Sequence, residues 1–360
     1  MKKLITFFFV FVLFYNYAKS QGCIAVRNIS GFGQYNLTEN AFSTSSWQLN
    51  INTRYFKAYH DYKETNDLNT PPQNQNVIKS FSMDIGITRL LNKGWSLNFS
   101  LPISANSRTS NSDHGGPNTT RYTTHTFGVG DIRFTAYKWL LAPTATQKGN
   151  IQLGLGIKLP TGDYRYQDYY HWNDSTIVLG AVNPSIQLGD GGTGIITELN
   201  TFYAFNKTIS LYGNFYYLIN PREQNGVLAT PGGRPASPLL IKSRGAQISV
   251  PDIYSMRAGV NFNLTDWAFS LGVRDEGAPV HDLMGGSNGT RRAGYTLSVE
   301  PGIVFKMKNA TLYTYVPFIV AHSIKQNVPD KNISKITGVY TVGPGGSGDY
   351  QIFLGVQFKL

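Results

Sequence analysis

The chain has 360 residues, of which only 15% are charged and 13% aromatic, with 37 glycines, 22 tyrosines and 21 phenylalanines. Its formal net charge is +11, but the basic residues form no run, which excludes a nucleic-acid surface and favours anionic lipid headgroups as the counterpart. Past residue 20 no apolar stretch nears the roughly eighteen residues of a membrane-spanning helix, and the lone cysteine, Cys23, excludes an internal disulfide.

The first twenty residues read as a secretory signal peptide: a basic MKK, an apolar run LITFFFVFVLF, and small residues at Ala18 and Ser20 before a cleavage point near Ser20. Removing Lys2, Lys3 and Lys19 leaves 29 basic and 21 acidic residues, a net +8. Cys23 offers a lipid attachment point, but Ser20-Gln21-Gly22 lacks the apolar residue such sites carry, so lipidation is the lesser reading. Residues 21–45 fit no strand pattern. Two placements stay open for them, a plug inside the following domain or a periplasmic tail, and Ile24, Val26 and Phe32 favour the plug.

From residue 46 onward the pattern has period two. Trp47, Leu49, Ile51, Thr53 and Tyr55 alternate with Gln48, Asn50, Asn52 and Arg54, and Phe81, Met83, Ile85 and Ile87 alternate with Ser82, Asp84, Gly86 and Thr88. Such alternation marks strands with one apolar and one polar face. A turn at 92–94 leads into WSLNFSLPI, and further segments begin near His125, Asn150, Gly194, Ile209, Ile253, Trp267, Tyr295 and Leu312. The strand at 350–360, YQIFLGVQFKL, brings the total to twelve.

The connections alternate too. Short ones fall near 92–94, 141–149, 205–208, 264–266 and 307–311; long polar ones fall near 59–76, 105–122, 163–192, 221–251, 277–294 and 322–349. Twelve strands then place every long loop at one end and every short turn at the other. This predicts an all-β chain: a transmembrane antiparallel up-and-down barrel over 46–360, with short periplasmic turns and long extracellular loops, in the outer membrane of a Gram-negative cell. Trp47, Trp95, Trp139 and Trp267 fall at the short-turn end as an interfacial girdle would, although Trp139 has the wrong parity for a lipid contact. The terminal strand closes against the first. It also resembles the C-terminal signal read by the outer-membrane assembly machinery, with Leu360 in place of the usual aromatic and Phe358 two positions earlier.

If the apolar face meets lipid and lipopolysaccharide, the other parity lines the lumen. The candidates are Arg54, Asp84, Asp131, Arg133, Lys158, Glu198, Arg257, Arg274, Glu276 and Glu300. Mixed charge suits a water-filled channel, and equally suits ion-pair ladders that narrow one. Twelve strands lie between eight, which side chains fill, and sixteen, which leave an open pore, so the lumen should be narrow.

No catalytic, cofactor or metal set emerges. His171 with Asp174 and His281 with Asp282 are the nearest to acid–base pairs, no serine has a G-x-S-x-G setting, and GDGGTG (189–194) is followed by a strand rather than the helix a phosphate loop requires. The aromatic stretch DYRYQDYYHW (163–172) offers a binding surface at the mouth or the outer half of the girdle.

Several motifs together resemble a known family. FGVGDIRFTAYKWLL (127–141) is similar to the G-x-GD-[IL]-R strand, and LGLGIKLPTGDY (153–164) to the G-x-K-x-PTGD strand, of the outer-membrane transporters named for the meta-pathway of phenol degradation. GDGGTG matches a Gly-rich segment after that strand, and QGCIAVRN (21–28) resembles the mature N-terminus of Bacteroidota-type members. The resemblance implies an outer-membrane barrel distantly akin to fatty-acid and aromatic-hydrocarbon channels. It directs attention to Asp131, Arg133, Lys158 and Asp163, with an Asp131–Lys158 pair expected. The function expected is passive passage of small solutes, hydrophobic ones among them, with no cofactor. A plugged barrel with a structural or surface-binding role is the alternative, and an outer-membrane hydrolase a distant third.

Overall fold

The computed structural model describes residues 46–91, 94–117, 119–141, 148–173 and 175–360. The signal peptide, Cys23 and the segment 21–45 lie outside them. Twelve antiparallel strands form the wall: β1 (Trp47–Ala58), β2 (Val77–Leu90), β3 (Trp95–Ser110), β4 (Tyr122–Val129 and Arg133–Trp139), β5 (Gly149–Lys158) and β6 (Gly194–Ala204), then β7 (Ile209–Ile219), β8 (Ile253–Asn263), β9 (Trp267–Ala278), β10 (Ala293–Lys306), β11 (Ala310–Tyr315 and Phe318–Lys325) and β12 (Gln351–Lys359). Each pairs with its sequence neighbours. β12 returns to β1 in a register running from Gln48↔Lys359 to Phe56↔Gln351, which closes the barrel and leaves no open edge between first and last strand.

Side-chain direction is inverted relative to a soluble sandwich. Leu97, Leu271 and Leu354 are 49%, 55% and 56% exposed, while Asp84 and Arg257 are each 4% exposed. Only a wall with hydrocarbon outside and polar groups inside accounts for that division. An arginine on the outer face should therefore be costly: Leu271→Arg is expected to destabilise the barrel by about 2–4 kcal/mol if Leu271 lies near the bilayer midplane, read as a shifted urea midpoint in lipid vesicles.

Trp47, Trp95 and Trp267 are exposed at the short-turn end, and Arg89 and Lys138 sit over the Trp47 and Trp95 rings at 4.9 and 5.3 Å. Trp139 is not part of this girdle. It is buried inside the barrel, its ring edge-on to Phe202 at 6.0 Å. The reason lies in β4, where two residues of β3 (Leu101 and Pro102) face three (Gly130, Asp131 and Ile132) between the paired positions Ile103↔Val129 and Ser100↔Arg133. The extra residue is a β-bulge, and it reverses the parity of everything after it. Odd-numbered Phe127 and Val129 face outward; odd-numbered Thr135, Tyr137 and Trp139 face inward.

Candidate functional site: the interior beneath the third long loop

The third long loop, 159–193, does not stay outside. It carries a short hairpin, Gln167–His171 with Ile177–Ala181, and then turns into the barrel mouth through a 3-10 turn at Pro184–Ile186. Asn183 caps that turn by accepting the Ser185 N–H at 3.1 Å. Val182 and Ile186 pack on Phe56, Ala58 and Ile78 at the tops of β1 and β2, which lie a third of the circumference away. The Ile186 carbonyl accepts from Asn106 Nδ2 (3.2 Å) and Thr126 Oγ1 (2.7 Å), both pointing inward from the wall. The loop is thus a strap across the mouth, held at its far end by apolar burial and two wall side chains.

Its near end is tied at the β4 bulge, where the three quoted motifs meet. The bulge leaves Gly130 O and the Ile132 N–H without strand partners; Thr161 of the PTGD run donates to the first at 2.8 Å and accepts from the second at 3.0 Å. Asp131 accepts from the Gly162 N–H (2.9 Å) and the Asp190 N–H (3.2 Å), and Lys158 Nζ lies 3.6 Å from its carboxylate while also bonding Asp190. The expected Asp131–Lys158 pair is present. Asp190, from GDGGTG, is the member that sequence reasoning missed. The close packing explains two of the glycines: a Cβ on Gly189 would stand 2.5 Å from Asp131 Oδ1, and one on Gly162 would stand 2.7 Å from the Leu188 carbonyl. Asp163, carried over from the family resemblance, is exposed and accepts the Arg165 N–H.

Asp131→Asn keeps an acceptor for one N–H but loses the charge beside Lys158. An expected cost of about 1–3 kcal/mol follows, together with faster proteolysis of the strap in vesicle-embedded protein.

The remaining candidates divide between two walls. Glu300 accepts from Arg257 Nε at 2.8 Å and Arg274 Nε at 2.7 Å; Arg274 also reaches Glu276 (3.0 Å), which accepts from Gln351 Nε2 (2.6 Å). These four charged groups are at most 4% exposed and close on one another as a ladder rather than facing open water. On the other wall Glu198 accepts from Tyr137 Oη (2.8 Å) and Asn214 Nδ2 (3.2 Å), and Asp84 accepts from Ser100 Oγ (3.4 Å), with Arg54 buried two strands from β3 on β1.

Between the strap and these layers lies a cavity of about 120 Å³. Arg133, Lys158, Asp131 and Asp190 form one side of it; Pro102, Pro184, Leu188, Leu218, Ile248 and Ile253 supply an apolar surface. Two histidine pairs were suggested by sequence. His171 stacks on Tyr122 at 3.7 Å and its backbone N–H bonds His114 Nδ1, while Asp174 lies outside the described residues. Asp282 is held by Arg291 at 2.5 and 2.6 Å, and His281 faces Lys331. Within the 163–172 stretch Tyr170 is fully buried, and Tyr169 is exposed.

No protein-family model and no curated protein matches the sequence. Solved structures do. An outer-membrane channel from Pseudomonas putida F1 superposes with a TM-score of 0.59 at 10% identity, over 89% of this chain and 97% of that one. The β domain of a Bordetella autotransporter gives 0.45 at 10% identity (88% and 100% covered), and a homologue of FadL from Pseudomonas aeruginosa 0.42 at 10% identity (94% and 96% covered). At these identities the likeness concerns architecture: the chain has the fold of an outer-membrane β-barrel.

Proposed function

We propose that the protein is a passive outer-membrane channel for small solutes, hydrophobic ones among them, with the strap at 183–190 as its constriction. The observation that carries this is the mostly apolar cavity inside the barrel directly beneath the strap. A purely structural barrel has no reason to line a space of ligand size there with both apolar and charged side chains. The meeting of the G-x-GD-I-R, PTGD and GDGGTG runs at one knot supports placing the chain with the phenol meta-pathway transporters, since it gives all three motifs one task. Within this reading the outer face contacts lipid and lipopolysaccharide, β12 engages the assembly machinery, and the reaction is diffusion without cofactor or catalysis.

The buried ladder of Arg257, Glu300, Arg274 and Glu276 favours the competing reading, a closed barrel with a structural or surface-binding role. Planar-bilayer recording separates the two. Purified protein should give unitary steps in KCl; silence both with and without residues 21–45 would end the channel reading.

A further inference from the structure

Arg133 differs from every other cation of the interior. It lines the cavity half-buried, and although the Asp84 and Asp131 carboxylates act on its charge from a distance, among the described residues its guanidinium, with five N–H donors, makes no hydrogen bond and no close ion pair. Its neighbours are already engaged. Lys158 is shared by Asp131 and Asp190, Asp131 is further held by two backbone N–H groups, and Asp190 accepts from the Gly192 N–H at 2.8 Å. The two carboxylates are thus compensated largely by their own lysine and backbone, which leaves the N–H fork of Arg133 accessible to the cavity. A planar carboxylate matches such a guanidinium fork in bidentate fashion. Leu218 and Ile253 from β7 and β8 and Pro184 and Leu188 from the strap supply much of the apolar lining. A volume of about 120 Å³ is close to that of cavities that take a single benzene ring, on the order of 150 Å³.

We infer that this cavity binds small monocarboxylates, a single ring or a short chain bearing one carboxylate, with the carboxylate on Arg133 and the hydrocarbon against the strap and β7–β8. The inference deepens the channel reading by naming the solute class for the same cavity. Neutral hydrocarbons of the same size would fill the apolar side and leave Arg133 unmet, so the site discriminates by charge.

The test titrates the full chain in detergent with sodium benzoate and with benzyl alcohol by calorimetry, alongside KCl conductance in planar bilayers. Benzoate should saturate one site and benzyl alcohol should bind roughly tenfold more weakly or less. Arg133→Gln should lower benzoate affinity roughly tenfold or more and abolish the difference between the probes, and Arg133→Lys, which keeps the charge but not the fork, should fall between. Equal binding of the two probes, no saturable benzoate binding, or unchanged affinity in R133Q overturns the inference; should R133Q not fold, R133K and the comparison of probes decide it. KCl steps without benzoate binding remove the carboxylate site and leave the channel. Benzoate binding without steps leaves the site in a closed barrel and removes the channel.

Discussion

Excising residues 183–188 and rejoining the loop should raise the unitary KCl conductance severalfold and make the current noisier. The strap crosses the mouth as a single chain segment, so its removal widens the path without altering any strand. The barrel itself should survive. Val182 and Ile186 pack on Phe56, Ala58 and Ile78 at the rim, and the wall pairings of β1, β2 and β3 continue below that cluster without help from the loop. What is lost is the pair of bonds from Asn106 and Thr126 to the Ile186 carbonyl, about 1 kcal/mol each in net terms, and the burial of Ile186 and Leu188. Heat-modifiable migration in gels should therefore persist. A shortened protein that stays folded with unchanged conductance would show that the constriction lies elsewhere, the Arg257–Glu300–Arg274 layer being next in line.

Much of the wall was legible because a barrel strand announces itself twice, by period-two alternation and by the turn residues that bound it. Alternation placed Asp84, Arg257, Arg274 and Glu300 on the inner face, and all four are buried there. No single parity runs the length of β4, for a definite reason. Gly130 and Asp131 sit in an unbroken run of plausible strand residues, so the extra residue of the bulge leaves no compositional mark; the inward parity of Trp139 held, and its place in the girdle did not. The strap was equally hidden. NPSIQLGD (183–190) has the composition of any surface loop, and its inward path depends on Asn106 and Thr126, residues fifty or more positions away whose polarity suits the lumen whether or not they bind a loop. Asp190 had a weak signal, its place in a motif already noticed; what was missing was the geometry that brings 131, 162 and 190 together. Parity also predicts which side chains face inward but not which of them touch. That depends on register and strand tilt, and it is why the Arg257–Glu300 bond, across β9, could not be read from the chain.

That bond sets the largest expected loss of stability. Arg257 and Arg274 are direct cross-strand neighbours on β8 and β9, an arrangement of like charges that is unfavourable on its own. Glu300 resolves it by giving one oxygen to each: Oε1 to Arg257 and Oε2 to Arg274. Ring faces complete the layer, with Arg257 over Tyr315 at 5.0 Å and Arg274 over Phe353 at 4.5 Å. In Glu300→Ala, Arg274 keeps Glu276 but Arg257 loses its carboxylate, and the two guanidiniums face each other with nothing between them. Removing one partner of a buried pair costs about 3–5 kcal/mol, to be read as a drop in the urea midpoint of vesicle-embedded protein at unchanged slope. Glu300→Gln retains two acceptor lone pairs without the charge and should fall short of that loss. Replacing all three residues by apolar side chains of similar volume should cost far less than Glu300→Ala alone, because buried charges that are removed together leave none behind to be solvated. If Glu300→Ala shifts stability by under about 1 kcal/mol, water must reach the layer freely, and the lumen is open at the level where the ladder would close it.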